Sequence, residues 1–256
     1  MVVRVRQRPR EETLEGFAAL PEEVRGRPKL IMGHTVFGLH EFIPNPSVYI
    51  SMVRKPRDLV VSQFRYVVRT SGHRHHQIVA SERLSIEDYV RSGISLEMDN
   101  SQTRAIAGDR DTPFGACTNT MLESAKRNIE GSFAVVGLTE RFDETLILLK
   151  KSFGWSRLKY VRSNVSQTRD PLNLTDEAIA LIDEHNILDN ELYRFATERF
   201  EKAIARHPTF AEELAAFKRA NSVYRRWGSI TQTLPHLLGS KVGLRRLRSG
   251  TRAPSL

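Results

Sequence analysis

The chain has 256 residues, 40% of them hydrophobic, enough to bury a sizeable core as one domain or as one with a helical appendage. Its 39 Lys and Arg against 30 Asp and Glu leave a formal charge of +9 and a pI near 9.9, which points to an anionic ligand or surface without naming it. Cys117 is the only cysteine, so an intramolecular disulfide is excluded and a reducing compartment suits the chain better than a small secreted scaffold. No apolar run is long enough to span a bilayer, and "MVVRVRQRPREE" lacks the apolar centre of a secretory signal.

Residues 1–28 read as a polar, basic opening in which Arg4, Arg6, Arg8 and Arg10 alternate, followed by "LEGFAALPEEV", enough for a short helix. "KLIMGH" at 29–34, "SVYISMV" at 47–53 and "FAVVGL" at 133–138 are short apolar runs rich in β-branched residues. Continuous apolarity of this kind marks strands covered on both faces of a parallel sheet. Two of the runs lead into helical patterns. After Val53, Pro56 suits a first helical turn, and Leu59, Val60, Phe64, Val67 and Val68 recur at spacings of three and four. After Leu138, Thr139 is placed to cap a helix with Asp143 and Glu144 near its start and Phe142, Leu146, Leu149 and Phe153 along one face. Strand followed by helix, twice, argues for an α/β fold. Residues 84–108 and 114–131 read as helical or irregular, and 174–207 as one long or two broken amphipathic helices. Residues 211–240 read as a helical extension. The last stretch, 241–256, carries Lys241, Arg245, Arg246, Arg248 and Arg252 with no acid, and reads as a disordered tail.

The stretch "ISMVRKPRDLVVSQF", residues 50–64, carries the most chemistry. A strand's carboxyl edge followed at once by a helix start is where α/β proteins hold anions, because unpaired helix N–H groups and the dipole favour negative charge. Arg54 at that edge offers a permanent cation with a fork of donors, and Ser62, eight residues on, offers a hydroxyl. Together they describe a phosphate or sulfate clamp. Spacing alone leaves a plainer reading open, with Arg54 paired to Asp58 and Ser62 a small residue at a helix contact.

Taken with "GHTVFGLHEFIP", "MDNSQTRAIAG", "FAVVGLTERFDETLILL" and "NVSQTRDPLNLTDEAIALIDEHNILDNELYRFA", the block "YISMVRKPRDLVVSQFRYV" makes residues 29–205 resemble the carbohydrate sulfotransferases, in the branch related to heparan sulfate 2-O-sulfotransferase and its bacterial relatives. The resemblance implies a P-loop-like parallel sheet flanked by helices, a sulfotransferase domain over 29–210, and a helical C-terminal part. It implies transfer of a sulfuryl group from 3′-phosphoadenosine 5′-phosphosulfate to a hydroxyl, on a carbohydrate or another acceptor. Under it His34 is the catalytic base, with a structural histidine at the strand–loop junction as its plainer reading. His40 is an alternative base, an acceptor contact, or a helix-face residue. Arg54 and Ser62 bind the 3′-phosphate, Ser166 and Arg169 close over the donor from a loop, and Arg104 touches an acidic acceptor or the nucleotide.

One departure from the family is plain. Its members begin with a strand and a phosphosulfate-binding loop of the type "PKTGGT", whose lysine stabilises the leaving group, and neither that loop nor G-x-x-x-x-G-K-[ST] occurs here. The first strand and loop are therefore expected to be missing. Either the start is internal to a longer gene, or the chain is a shortened protein that binds nucleotide or polyanions without catalysis. "HRHH" at 73–76 lacks the partnered spacing of a zinc site, and sulfuryl transfer of this type uses no metal, so none is expected. The charge keeps a non-enzymatic binder of nucleic acid or anionic membrane as a rival class. A P-loop kinase is a second rival, which the missing lysine loop disfavours. No nucleic-acid-binding signature is visible, so no specific nucleic-acid partner is expected. The expected place is the cytoplasm, with the basic tail as a peripheral contact to the inner membrane.

Overall fold

A computed structural model describes residues 2–5, 14–109, 111–156, 158–161 and 174–237. The basic opening departs at once from expectation, for it contains a strand. β1 (Val2–Val5) is followed by two short helices, α1 (Leu14–Ala18) and α2 (Glu22–Arg25), and then by β2 (Leu30–Gly33). β1 pairs with β2 in parallel, from Val2 opposite Leu30 to Val5 opposite Gly33. Three valines in four residues are the signal that the alternating arginines obscured.

The expected runs become β2, β3 (Tyr49–Val53) and, after the helices between, β4 (Phe133–Leu138). β3 and β4 pair in parallel with Met52 opposite Gly137 and Val53 opposite Leu138. A parallel pair needs a long crossover. Here it comprises α3 (Pro56–Arg69), α4 (His76–Ser81), α5 (Ile86–Arg91), α6 (Ser101–Ala107) and α7 (Asn119–Ser132). The described strands thus form two two-stranded sheets, β1–β2 and β3–β4. Of the three apolar runs only β4 is covered along nearly its whole length. β2 and β3 leave Met32 42% and Met52 37% exposed, so their apolarity overstated their burial.

α3 buries Pro56, Val60, Phe64 and Val67 along the expected spacing, while Val68 points outward. α8 (Phe142–Phe153) is less well anticipated. Thr139 does not cap it: residues Thr139–Arg141 form a 3-10 turn, and α8 begins only at Phe142, with Arg141 at its N-cap. Its buried residues are Thr145, Ile147, Leu148 and Leu149 rather than the single stripe expected. The reason is that α8 is covered from two sides, by β4 and by α11 (Phe210–Leu237). Residues 174–207 are two helices, α9 (Asp176–Glu184) and α10 (Ile187–Ala205), interrupted at His185 and Asn186. No helix among the described residues is long and apolar enough to cross a membrane.

The apolar side chains gather in two clusters. One joins β3 and β4 to α7, α8 and α10 through residues such as Val53, Ile129, Leu138, Leu192 and Phe200. The other joins α3, α5 and α9 through Val60, Phe64, Tyr89, Met98 and Ile182. β4 comes so close to α8 that Gly137 has no room for a side chain: a Cβ there would collide with Thr145 Cγ2, with Oγ1 2.7 Å and Cβ 3.0 Å away. Thr145 is itself fixed, its Oγ1 accepting from Leu138 N at 3.2 Å. Gly137→Ala is therefore expected to lower unfolding free energy by roughly 1–3 kcal/mol through overpacking. A urea midpoint unchanged from the parent would refute this account of the contact.

Candidate active site

The strand ends and the helix that follows define the site. β3 stops at Val53, and Pro56 opens α3 with its fixed φ and no N–H to satisfy. Leu59 is the first residue to donate into the helix, to Lys55 O at 3.0 Å, so the N–H groups of Arg57 and Asp58 have no helical acceptor. Arg54 sits in the intervening turn, half-buried. Its backbone is held while its guanidinium is not: among the described residues no ion pair or hydrogen bond engages that group. The plainer alternative, an Arg54–Asp58 pair, does not form. It is Arg57 that pairs, with Asp183 of α9 at 2.6 Å. Ser62 lies two turns into α3, half-buried, with no hydrogen-bond partner among the described residues.

Glu140, just past β4, brackets the same edge. One carboxylate oxygen accepts from Lys55 N at 2.8 Å and the other from Tyr193 OH at 3.1 Å. Burial, and then the Glu140 charge, push the Tyr193 phenol up to about 12, so it acts there as a hydrogen-bond donor.

Behind Arg54 lies a buried polar network that no single motif announced. Gln102 Oε1 accepts from Arg54 N at 2.7 Å while Gln102 Nε2 donates to Arg54 O at 2.9 Å. Asp189, fully buried, accepts from Gln102 N at 3.0 Å, Thr103 N at 2.7 Å and Thr103 Oγ1 at 2.7 Å. Burial raises its carboxyl above the ordinary range and these donors pull it back. Asn100, in the left-handed region at φ 47°, accepts from Leu188 N and Asp189 N, and Asn186 Nδ2 donates to Met98 O at 3.0 Å. The two chain segments are hooked to each other where the two apolar clusters meet.

Arg104 does not face the site. It is 4% exposed, and all its donors are spent inside: Nε on Asp99 O at 2.9 Å, Nη2 on Asp99 Oδ2 at 2.5 Å and Pro113 O at 2.9 Å, and Nη1 on Thr112 O at 2.5 Å with Asp109 3.6 Å away. A guanidinium so satisfied has nothing left for an acceptor or a nucleotide, and the expected contact is corrected to a structural one. Beside it, burial and then the Asp99 charge push the Cys117 thiol up to about 12, which leaves it unreactive.

His34 and His40 part ways. His34 follows β2 directly, is exposed, and has no hydrogen-bond partner among the described residues. His40 lies in the 3-10 turn Leu39–Phe42, and its Nδ1 is 2.8 Å from Tyr49 OH. That hydroxyl already accepts from His40 N at 2.9 Å and Gly38 N at 3.3 Å, so its own proton goes to Nδ1. The ring also packs against Phe37, 4.8 Å between centroids. His40 is thereby held in an aromatic cluster with Nδ1 on Tyr49, which fits the helix-face reading better than that of a base or an acceptor contact. Ser166 and Arg169 lie outside the described residues. In "HRHH", His75 bonds Tyr89 OH at 2.6 Å and His76 Nδ1 bonds Val67 O at 2.9 Å, which explains the histidines as loop and helix anchors. Among the described residues no group of His, Cys, Asp or Glu is arranged to hold a metal.

A family model described as galactose-3-O-sulfotransferase matches residues 17–227 of this chain. The chain belongs to that family. It is similar to a heparin sulfate O-sulfotransferase of Drosophila melanogaster, 29% identical over 192 residues that cover 68% of this chain and 55% of the relative. Galactose-3-O-sulfotransferase 3 of Mus musculus is 26% identical over 191 residues, 70% of this chain and 44% of its own. Heparan-sulfate 6-O-sulfotransferase 1 of Homo sapiens is 27% identical over 190 residues, 62% and 44% respectively. The chain spans about half the length of these relatives. All carry carbohydrate sulfotransferase names, 3-O and 6-O among them, and these names do not specify the 2-O branch read from the sequence.

For a galactose-3-O-sulfotransferase family chain, the missed residues are informative. Gln102, Asp189, Asn100 and Glu140 all lie within blocks that carry the family resemblance, yet their roles depend on pairings across 48 to 89 residues. Spacing within one block cannot show such pairings.

Proposed function

We propose that this chain transfers a sulfuryl group from 3′-phosphoadenosine 5′-phosphosulfate to a carbohydrate hydroxyl, with residues 29–210 as the catalytic unit. The observation that supports this best is the Arg54 guanidinium: a half-buried cation at a strand's carboxyl edge, fixed by its backbone and without a partner at its tip among the described residues. Such a group beside a helix start suits a dianionic phosphate. Arg54 and Ser62 are the 3′-phosphate ligands in this reading, and Ser166 and Arg169 the loop contacts to the donor. In the transfer, the acceptor oxygen forms a bond to sulfur as the bond from sulfur to the phosphate oxygen breaks. The acceptor proton passes to His34, and the leaving nucleotide takes up the negative charge. The relatives' names suggest galactosides and heparan-type chains as acceptors to try first, with the 2-O position among those to assay. The cytoplasm, with the basic tail against a membrane surface, is the proposed location.

Calorimetric titration with 3′-phosphoadenosine 5′-phosphate tests the clamp. Arg54→Ala is expected to weaken binding about 10- to 100-fold, the loss typical of a charge-assisted phosphate contact, and Ser62→Ala about fivefold. Equal affinity in parent and Arg54→Ala would remove the clamp from this position. A second reading is a binder of nucleotide without catalysis. Tight nucleotide binding with no turnover across galactoside and heparan-type acceptors would select it.

A further inference from the structure

We infer that Gln102 is a positioning residue for the anion clamp, acting through the backbone of Arg54. The inference rests on the reading that Arg54 holds the 3′-phosphate. Past Val53 the main chain of β3 has run out of partner strand, since Val53 is the last residue in register with β4, opposite Leu138. The Gln102 side-chain amide takes over as the next rung. It accepts from Arg54 N at 2.7 Å and donates to Arg54 O at 2.9 Å, a two-point contact that mimics a neighbouring strand's peptide. The amide's orientation is fixed by a third partner, because Nε2 also lies 3.4 Å from Asp189 Oδ2, where only an N–H is compatible with the carboxylate.

Asp189 in turn is immobile. It is fully buried, takes both Thr103 donors and Gln102 N, and is tied through its own N–H to Asn100 Oδ1 at 3.1 Å. The chain of contacts therefore runs from the start of α10, through α6, to the turn that carries Arg54. The cation is held at its base by a two-point contact, and its guanidinium spends no donor on the described residues. A phosphate arriving there meets a side chain whose backbone is already held, which is preorganisation of the kind that spares binding energy. Gln102 touches no ligand in this arrangement.

The discriminating readout is the ratio of affinities for 3′-phosphoadenosine 5′-phosphate and adenosine 5′-phosphate, which differ only in the 3′-phosphate. It is measured by calorimetry on the full chain and on the variants Arg54→Ala, Gln102→Ala and Gln102→Glu. Gln102→Glu keeps the side-chain volume, replaces the donor to Arg54 O, and sets a second carboxylate beside Asp189. The parent is expected to favour the 3′-phosphorylated nucleotide. Both Gln102 variants should lower the ratio about tenfold while binding adenosine 5′-phosphate within about twofold of the parent, and Arg54→Ala should lower it at least as far. If Gln102→Ala fails to fold, Gln102→Glu provides the same comparison. A ratio preserved in the Gln102 variants but lost in Arg54→Ala would overturn the positioning role and leave the clamp standing. Equal loss of affinity for both nucleotides in the Gln102 variants would also overturn it, as the mark of a general structural role. A parent without preference, or a preference that Arg54→Ala retains, would overturn the clamp and with it this inference.

Discussion

Arg104→Ala should destabilise the fold by about 3–5 kcal/mol, the cost of leaving a buried charge without its partner. The wild-type arrangement is closed: the guanidinium meets the Asp99 carbonyl and carboxylate, two further carbonyls from Thr112 and Pro113, and the edge of Asp109. The Asp99 carboxylate is completed by Gly115 N at 2.8 Å and Asn100 Nδ2 at 2.8 Å. Removing Arg104 strands the carboxylate and at the same time frees the loop carbonyls at 112 and 113 from their donor. The double variant Arg104→Met, Asp99→Asn should recover part of the loss, because it removes both charges and keeps most of the volume. Urea unfolding followed by far-UV circular dichroism measures both. A single variant within about 1 kcal/mol of the parent, yet impaired toward an acidic acceptor, would return Arg104 to the substrate-contact role that its sequence position suggested.

That reversal shows what the sequence could and could not express. Strands β2, β3 and β4 and the start of α3 were legible because their signals are local: β-branched runs, a proline at a first turn, apolar residues three and four apart. The family blocks were legible for the same reason. What a polar residue does inside a block was not, since it depends on a partner far along the chain. "SQTR" shows Gln102 and Arg104 two residues apart with no mark to separate them. In the fold Gln102 turns toward Arg54 and Asp189, and Arg104 toward the loop at 109–113. Likewise "GHTVFGLH" offers two histidines, and only Tyr49, beyond the block, decides that the second is occupied. β1 was hidden for a different reason: the arginines alternating through this basic segment mask a valine-rich run that pairs with β2.

His34→Gln should lower the turnover number for sulfuryl transfer by about 10²- to 10⁴-fold, the range for loss of a general base, and leave nucleotide affinity within about twofold of the parent. The argument is geometric before it is chemical. His34 emerges at the end of β2, exposed and with no hydrogen-bond partner among the described residues, whereas His40 has its Nδ1 on Tyr49. Of the two, only His34 has both ring nitrogens without a hydrogen-bond partner among the described residues. His40→Phe therefore serves as the contrasting variant, expected to lose stability through the unpaired Tyr49 hydroxyl while any folded fraction keeps its turnover number. A His34→Gln enzyme with unchanged rate would place the base elsewhere. The same loss in His40→Phe would show that the hydrogen bond to Tyr49 opens during catalysis. With turnover tied to His34 and the 3′-phosphate preference tied to Arg54, proton removal and donor binding would be assigned to two separate strand ends, β2 and β3.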